Sequence, residues 1–423
     1  MRFTLTTSSQ NPSPTWFSRV FINRDVFCLW SGQVISETGS SVFRIALMWM
    51  VLELTGSKSM TGLIVMLGSL PSLLLGPYSG ALVDRLDRRR TMLVSDLARA
   101  GLVMIIPLLF FVGGLTPWVL GLVIFAMASF NTFYLPARDS LVGQIVAPGD
   151  RLGANTMIQT SWQYAILLGP AIVALAMRWL SQANLFVLDA ASYVVSFLFI
   201  FRIGSSKGGF RRPNPAEFVR VLAGGWADTL AGLKYVFGEP RLRALLLVTA
   251  ADNLFLMGPA VLGVPIFVKD VLKQDLESFA FVSIATAVGM ITSTILLRRF
   301  GRGLSNSRLI VWGIILDGLT FVPMLWVHSL GGMFVTMMVH AMAIPLIIVC
   351  RPNIIHNIVP TNMQGRVFSL ISAAVFGFMS LSTVLTGVLA EYLPISYIYA
   401  GSGVLAASTG VIGWMLGGFR NLD

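Results

Sequence analysis

The sequence predicts an all-α polytopic membrane protein whose twelve transmembrane helices form two six-helix bundles. The first observation is composition: 55% of the 423 residues are hydrophobic, only 12% are charged, and the mean hydropathy is +0.78. Soluble domains carry about twice that share of charged residues. The second is the recurrence of apolar segments of about 20 residues, each able to cross a hydrocarbon core about 30 Å thick. The third is a local sequence repeat at half the chain length.

The apolar segments set the predicted spans. The first is the longest, which indicates a helix that tilts or projects past the bilayer. In order, the twelve predicted spans are 25–54, 59–82, 92–112, 116–137, 154–177, 183–202, 242–268, 276–298, 308–327, 330–350, 366–391 and 394–418.

A polar connection between the sixth and seventh spans divides the chain into two halves. It opens with glycine, serine and proline and then becomes amphipathic, which predicts a linker with an interfacial helix. The apolar face of that helix comprises Phe218, Val221, Leu222, Trp226, Leu230 and Leu233. The predicted organisation is a cytoplasmic tail at 1–24, a bundle at 25–202, the linker at 203–241, a bundle at 242–418 and a cytoplasmic C-terminus at 419–423.

Basic residues indicate the orientation of the chain in the membrane. Nearly all of them fall in connections that follow even-numbered spans, whereas the opposite side carries only Lys58, Arg178, Lys269 and Lys273. Because basic loops stay in the cytoplasm, we expect an integral protein of the plasma (inner) membrane with both termini cytoplasmic. The net charge of +11 is thus a topology signal, and its spread over many short loops argues against nucleic-acid binding.

Two segments in equivalent places indicate an internal duplication. The stretch "GQIVAPGDRLGAN" follows the fourth span and "IHNIVPTNMQGRVFS" follows the tenth, half a chain length apart. Residues 144–148 align with residues 356–360, and Gly153 aligns with Gly365. A parallel repeat of six and six helices is an architecture of alternating-access transporters.

A short basic connection follows the second span. It reads "GALVDRLDRRRTML" (80–93) and resembles the signature loop of the major facilitator superfamily, except that Asp87 stands where the superfamily usually has glycine. The positions that match are Gly80, Asp84, Arg85, Arg88 and Arg89.

The resemblance implies the major facilitator fold and a cytoplasmic gate. In that gate Asp84 lies beside the start of the eleventh helix, where Gly365 and Arg366 are the expected partners. Gly80 is expected to let two helices approach closely. A basic loop that only sets the topology is the alternative.

A narrower resemblance covers three longer stretches. They are "LWSGQVISETGSSVFRIALMWMVLELTGS", "FNTFYLPARDSLVGQIVAPGDRLGAN" and "RPNIIHNIVPTNMQGRVFSL", and they resemble the branch of macrolide-efflux and enterobactin-exporter type carriers, which are mostly exporters. The antiporter pattern of the fifth span is only partly met. Gly169 and Pro170 are present, but the expected flanking glycines are absent, so a simple helix kink is an equal explanation.

Polar residues inside apolar spans are the candidates for transport, because a charge in the bilayer is costly and usually faces a cavity or a partner. In the first span, Gln33, Glu37, Ser41 and Arg44 share one helical face. Two interpretations stay open. In one, Glu37 lies near the midplane, binds protons and competes with substrate. In the other, Glu37 and Arg44, about 10.5 Å apart along the helix, belong to a structural polar ladder with Ser40 and Ser41.

The resemblance also implies that spans one, four, seven and ten line the central cavity and that spans three, six, nine and twelve lie outside. Asp252 and Asn253 of span seven lie near the equivalent of Glu37, and His340 of span ten can titrate near neutral pH. For each of them a packed polar side chain without a transport role is the alternative. Helix packing is an equal explanation for the remaining candidates, which are Asn131, Tyr134, Gln159, Trp162 and Gln163.

Four other charged residues are expected to be structural. Asp189 and Asp317 lie in outer spans. Asp96 and Arg99 form an i, i+3 pair that we place near the cytoplasmic end of span three, as a support for the signature loop.

The sequence contains no motif for nucleotide binding, zinc-dependent hydrolysis or serine hydrolysis. We therefore expect a protein that is not an enzyme, without catalytic residues, metal or cofactor, and with a proton gradient as its energy source. The favoured function is a monomeric, proton-coupled exporter of amphipathic small molecules, such as drug-like compounds or secondary metabolites, by alternating access. A siderophore or lipid-like substrate is the alternative, and a non-transporting membrane sensor is a more distant one.

Overall fold

The computed structural model describes residues 23–83, 85–204, 230–301 and 303–415. Asp84, most of the linker, and nearly all of both predicted terminal segments lie outside the described residues. Of the predicted amphipathic face only Leu230 and Leu233 are described, and both are exposed in a helical stretch at 230–238. Within the described ranges the chain forms twelve long helical segments and no strand. They are α1 Arg24–Thr55, α2 Lys58–Val83, α3 Arg88–Phe111, α4 Pro117–Ile145, α5 Arg151–Ala176, α6 Gln182–Phe201, α7 Pro240–Val271, α8 Leu276–Phe300, α9 Asn306–Leu325, α10 Leu330–Ile358, α11 Thr361–Tyr392 and α12 Ile395–Met415.

The predicted all-helical membrane fold is confirmed. Of the helices in the described ranges, eleven are long and apolar enough to cross a membrane, and α1, which carries the polar stripe, is not among them. The predicted number of twelve spans is consistent with this arrangement.

Three helices depart from regular α-geometry along their length. α7 contains the π-helical segments Pro259–Gly263 and Phe267–Val271, and α9 ends in the 3-10 turn Val322–Leu325. α10 is broken between its two parts, Leu330–Ala341 and Ile344–Ile358. Irregular backbone at membrane depth is tolerated where it is buried in protein or lines a cavity.

Asp87 determines where α3 begins. Its Oδ1 accepts a hydrogen bond from the backbone N–H of Arg90 at 2.7 Å, which satisfies a donor that the first turn of a helix otherwise leaves unpaired. This cap explains the residue that departs from the superfamily pattern. α3 consequently begins at Arg88, one turn before the predicted start at 92, so Arg99 lies in the middle of the helix.

The two halves repeat one packing pattern. In the first half α1 packs against α5 and α6, α2 against α4, and α3 against α4 and α6. In the second half α7 packs against α11 and α12, α8 against α10, and α9 against α10 and α12. The duplication predicted from two short segments therefore extends to the whole helix arrangement.

The halves are joined near one face and separate near the other. We call the face with the α1–α2, α5–α6 and α7–α8 connections the outer face and the opposite one the inner face. Among the described residues, one apolar core near the outer face draws side chains from both halves, such as Leu52, Phe186, Leu276 and Met324. Near the inner face each half has a core of its own.

Polar contacts reinforce the junction at the outer face. Lys58, at the start of α2, forms an ion pair with Asp270 of α7 at 2.6 Å and donates a hydrogen bond to the backbone oxygen of Ala390 at 3.0 Å. Arg178, which follows α5, lies 3.4 Å from Glu277 of α8. Helix pairs α2–α11 and α5–α8 thus form two lines of contact between the halves.

Candidate functional site

A cavity of about 330 Å³ lies among the helices of the first half, with Val261 and Met379 of the second half in its wall. Its wall combines apolar side chains with a carboxylate, two guanidinium groups and several smaller polar groups. Concave, mostly apolar surfaces with a few placed polar groups are typical of small-molecule sites. The polar part of the wall comprises Glu37, Ser40, Arg44, Ser69, Arg99, Asn131 and Tyr193.

The polar part of the α1 face on this cavity is formed by Glu37, Ser40 and Arg44, at helical spacings of three and four residues. Two residues of the predicted stripe do not line the cavity. Gln33 is buried, and Ser41 packs against Gly169 of α5. The predicted polar stripe is therefore present, but only part of it faces the cavity.

Glu37 is hydrogen-bonded to a residue one turn earlier in α1, whereas Arg44 lies two turns later. Its Oε1 accepts a hydrogen bond from Nε2 of Gln33 at 2.9 Å, and Oε1 of Gln33 accepts one from the hydroxyl of Tyr134 at 3.2 Å. Among the residues that the structure describes, no ion pair joins Glu37 to Arg44, and Arg44 is exposed where it lines the cavity. A chain of hydrogen bonds thus runs from Glu37 through Gln33 to Tyr134 of α4, which differs from the predicted ladder of Glu37, Arg44, Ser40 and Ser41.

Arg99 of α3 is a cavity residue that the sequence analysis misplaced. Its guanidinium lies between the rings of Tyr134 and Tyr193, 4.5 Å and 4.4 Å from their centroids. It forms an ion pair with Asp96 and donates from Nη1 to Oδ1 of Asn131 at 3.2 Å. The predicted i, i+3 pair of Asp96 and Arg99 is confirmed, but its predicted place near the cytoplasmic end of span three is wrong, because the earlier start of α3 puts both residues further along the helix.

Side chains of α3 and α6 reach the cavity although these spans were expected to lie outside. α6 approaches α1 closely at Gly39, where an added Cβ would stand 2.6 Å from Cβ of Ser192 and 2.8 Å from Oδ1 of Asp189. Tyr193 therefore passes beside α1, and its hydroxyl is hydrogen-bonded to Oγ of Ser40 at 2.8 Å. The only sequence signal for this contact is Gly39 in α1 together with Ser192 and Asp189 in α6, and no sequence motif pairs them.

The candidates from the second half do not join this cavity. Asp252 and Asn253 of α7 are buried, and Nδ2 of Asn253 donates to the backbone oxygen of Thr249 in the same helix at 2.8 Å. His340 of α10 contacts Asp317 of α9, with 3.0 Å between Nδ1 and Oδ1. These residues form a polar group of their own within the second half.

The α5 candidates lie in a different place again. Trp162 and Gln163 line a crevice of about 230 Å³ between α5 and α8. Gln159, one turn away, is exposed, as are Trp162 and Gln163. Both interpretations of these residues, a role in transport and helix packing, stay open.

Arg89, one of the predicted gate residues, is bound to its own half. Its Nε donates to the backbone oxygen of Ile200 at 3.1 Å, and its Nη2 donates to that of Phe201. These bonds cap the end of α6, where backbone oxygens lack helical partners. Arg89 therefore links the signature loop to α6.

The other gate residues lie at the inner face, where the halves separate. Among the described residues, no neighbouring atom stands within 4 Å of a Cβ added at Gly80 or Gly365, so these residues show no close helix approach of the kind expected at Gly80. Arg366 contacts Sδ of Met363 in its own helix at 3.5 Å. Arg85 lies in the turn between α2 and α3, and Arg88 is the first residue of α3. The latch through Asp84 stays a prediction because that residue lies outside the described ones.

Comparison with known proteins gives a family and several relatives. The family described as "transmembrane secretion effector" matches residues 20–417. Macrolide efflux protein A of Streptococcus pyogenes is 23% identical over 401 residues, which cover 94% of this chain and 97% of that protein. The multidrug efflux pump Tap of Mycolicibacterium fortuitum is 23% identical over 395 residues, which cover 91% of this chain and 94% of that protein.

Solved structures share the fold at lower identity. A bacterial homologue of the human lysosomal transporter Spinster, in an inward-facing and unoccupied conformation, aligns with a TM-score of 0.68 at 14% identity over 96% of both chains. A mutant of the peptide transporter POT in complex with sulfate aligns with a TM-score of 0.74 at 12% identity, over 94% of this chain and 97% of that one. At such identities the likeness shows the fold alone.

Proposed function

The chain belongs to the transmembrane secretion effector family of the major facilitator superfamily, and from this premise we propose that it is a proton-coupled exporter of amphipathic small molecules. The resemblance to macrolide-efflux type carriers is confirmed by the relatives, and the chain is an integral membrane efflux transporter of this superfamily. The substrate class and the coupling ion are the proposed part.

The observation that carries the proposal is the cavity beside α1. Its wall offers an apolar surface, with Phe43, Leu47 and Met48, and charged side chains of both signs, among them Glu37 and Arg44. An amphipathic molecule would bury its apolar body against the first group and place its polar end among the second. Methionine side chains adapt to varied shapes, which suits a family with multidrug and macrolide pumps among its relatives.

The two faces of the molecule support alternating access. One apolar core joins the halves near the outer face, whereas separate cores stand near the inner face. With the predicted orientation the outer face is extracellular, so this conformation would receive substrate from the cytoplasm. Rocking of the halves about the midplane would then close the inner face, where Asp84, Gly365 and Arg366 would form the gate.

A proton gradient is the proposed energy source, and Glu37 is the proposed residue at which proton and substrate compete. Glu37 is half-buried, lines the cavity, and lies within a membrane helix, where an ionised side chain is costly. The transporter would act as a monomer in the plasma (inner) membrane with both termini in the cytoplasm. A siderophore or a lipid-like substrate, the alternatives, would occupy the same cavity.

Proteoliposomes with an acidic lumen test the proposal. The probe is ethidium, whose permanent charge prevents trapping by the pH gradient, and valinomycin with equal potassium on both sides holds the membrane potential at zero. We expect the wild type to accumulate ethidium and Glu37→Gln to accumulate about tenfold less at a gradient of one pH unit, because one coupled proton corresponds to about 1.4 kcal/mol per unit. The pH dependence of ethidium affinity in detergent should also disappear in this variant.

Glu53→Gln is the matched control, because Glu53 is an exposed carboxylate on the same helix that accepts a hydrogen bond from Trp49 at 2.7 Å. It should behave as the wild type. Transport that ignores the pH gradient would reject proton coupling, and ethidium binding without any flux would favour a membrane sensor.

A further inference from the structure

A second group of titratable side chains lies in the second half, away from the α1 cavity. Nδ1 of His340 lies 3.0 Å from Oδ1 of Asp317, 3.2 Å from the backbone oxygen of Asp317 and 3.2 Å from Oγ1 of Thr320. The imidazole and the carboxyl are 4% and 2% exposed. Because the backbone oxygen can only accept, Nδ1 carries a hydrogen in this arrangement, whereas Oδ1 of Asp317 is buried and has no hydrogen-bond partner among the described residues.

Aromatic rings enclose the pair. Phe321 stacks on His340 with 4.1 Å between ring centroids and meets Tyr399 of α12 edge-on at 4.8 Å. The hydroxyl of Tyr399 is buried and has no hydrogen-bond partner within the part of the chain that the structure describes. An uncompensated charge in such surroundings is costly.

Asp252 of α7 belongs to the same cluster, because its carboxyl interacts electrostatically with Asp317 and with Arg351 of α10. Oδ1 of Asp252 is buried and lacks a hydrogen-bond partner among the described residues. The cluster therefore holds two carboxyl groups, one guanidinium and one imidazole. With the imidazole neutral, one negative charge has no counter-charge, and one bound proton would neutralise the cluster.

The described parts of the surrounding helices bring no other charged side chain to the middle of this bundle. α12 contributes Tyr399 and has no charged residue within Ile395–Met415. Elsewhere the charged residues stand toward the helix ends: Arg241, Arg243, Lys269 and Asp270 in α7, Glu277, Arg298 and Arg299 in α8, Arg308 in α9, and Arg366 and Glu391 in α11. The charge count of the cluster thus rests on its own four members.

The cluster stands where two helices lose regular geometry. The α-helical part of α9 ends shortly after Asp317, and α10 breaks directly after Ala341, beside His340. In that break the N–H of Ala343 donates to the backbone oxygen of His340 at 3.0 Å. Phe321 belongs to the outer core that joins the two halves. A change of charge on Asp317 or His340 therefore occurs beside irregular backbone of α9 and α10 and next to the outer core that joins the two halves.

We propose that Asp317 and His340, backed by Asp252, form a second proton-binding site, which drives the conformational change from the second half while substrate binds in the first. In the deprotonated form, Nδ1–H of neutral His340 donates to the backbone oxygen of Asp317, and Oδ1 of the Asp317 carboxylate lies beside it without a hydrogen-bond partner among the described residues. A proton from solution then adds to the pair, forming an O–H bond on Asp317 or an N–H bond at Nε2 of His340, and the reverse step releases it. The inference rests on the proposed function, because it requires proton-coupled transport.

Ethidium accumulation in the same proteoliposomes counts the coupled protons. Each coupled proton supports about a tenfold steady-state gradient per pH unit. We expect Asp317→Asn and His340→Gln each to lower accumulation by about tenfold at one pH unit, and Asp317→Glu to restore it in part. Ethidium counterflow without a pH gradient needs binding and alternating access but no net proton movement, so it should stay near the wild-type rate.

Asp189→Asn is the matched control. Asp189 is also a fully buried carboxyl in a membrane helix, and its Oδ2 has no hydrogen-bond partner among the described residues, but it lies in the first half behind the cavity wall. This variant should accumulate ethidium as the wild type does. The pH dependence of ethidium affinity, which we assign to Glu37, should persist in Asp317→Asn.

Three outcomes overturn the inference. The first is wild-type accumulation in Asp317→Asn, and the second is an equal loss of accumulation in Asp189→Asn. The third is a loss of both counterflow and accumulation in Asp317→Asn and His340→Gln, which a purely structural role predicts. Wild-type counterflow without any gradient-driven accumulation would instead refute the proton coupling of the proposed function.

Discussion

The two halves of the molecule share one helix arrangement and differ in where their polar side chains lie. In the first half Glu37, Arg99 and Tyr193 border a cavity, whereas in the second half Asp317 and His340 are enclosed by aromatic rings. Repeating the helix packing has therefore not repeated the chemistry. Packing depends on small residues and apolar faces, while a polar site depends on a few positions that can change without disturbing that scaffold.

The physical difference between the two regions is access to water. A polar group beside a cavity can be solvated when its partner is lost, whereas an enclosed group cannot. The first half is thus suited to contacts with a variable ligand, and the second half to a response to charge.

Two arginines on the wall of one cavity provide the strongest test of that difference. Arg99→Met should lower the free energy of unfolding by about 3–5 kcal/mol, because it leaves the buried Asp96 without a counter-charge. Arg44→Met removes an exposed side chain and should stay within about 0.5 kcal/mol of the wild type. Thermal unfolding in detergent measures both, and equal losses would contradict the distinction between a buried, ion-paired charge and an exposed one.

The equivalent helix contacts α1–α5 and α7–α11 offer a second test of how the halves differ. In the first contact the closely packed glycine is Gly169 of α5, and in the second it is Gly258 of α7. A Cβ added at Gly258 of α7 would stand 2.6 Å from the backbone carbon of Ser382, whereas one added at Gly169 of α5 would meet the side chain of Ser41 first and its backbone carbon only at 3.4 Å. Overpacking typically costs about 1–3 kcal/mol, and Gly258→Ala should be the more costly change because it meets both the backbone of Ser382 and Oγ1 of Thr386, whereas Gly169→Ala meets a single side chain.

Thermal unfolding of both alanine variants measures this difference. Adding Ser41→Gly to Gly169→Ala should recover stability, since it removes the obstructing side chain. A greater loss for Gly169→Ala than for Gly258→Ala would show that the two contacts do not differ as described.

The outer face should show the smallest effects. Lys58 is 25% exposed and bonds both Asp270 and Ala390, whereas Arg178 is 61% exposed and faces only Glu277 at 3.4 Å among the ion pairs of the described residues. Exposed ion pairs contribute about 0–1 kcal/mol, so Arg178→Gln should change little and Lys58→Gln should favour opening of the outer face.

A cysteine in the cavity reports that opening. Labelling of Ser40→Cys by a membrane-impermeant maleimide added outside should become faster with Lys58→Gln and keep its background rate with Arg178→Gln. Equal rates in the two backgrounds would mean that the α2–α11 and α5–α8 contacts are equivalent.

The sequence by itself determined the fold class, most of the helix ends, the duplication and the family, although α4 and α10 continue past their predicted ends at 137 and 350 to Ile145 and Ile358. These properties follow from local composition, because a membrane span requires about 20 apolar residues whatever surrounds it. The same logic identified Glu37, Asn131 and Tyr134, since polar groups within an apolar segment demand a partner or a cavity.

Only the tertiary structure decided which polar groups meet. The cap at Asp87 moved Arg99 to mid-helix and into the cavity wall, and the close approach at Gly39 brought Tyr193 beside it. Asp317, interpreted as structural, was brought against His340. The partner of a helical side chain depends on the rotation and depth of two helices relative to each other, and residue spacing along a single helix determines neither.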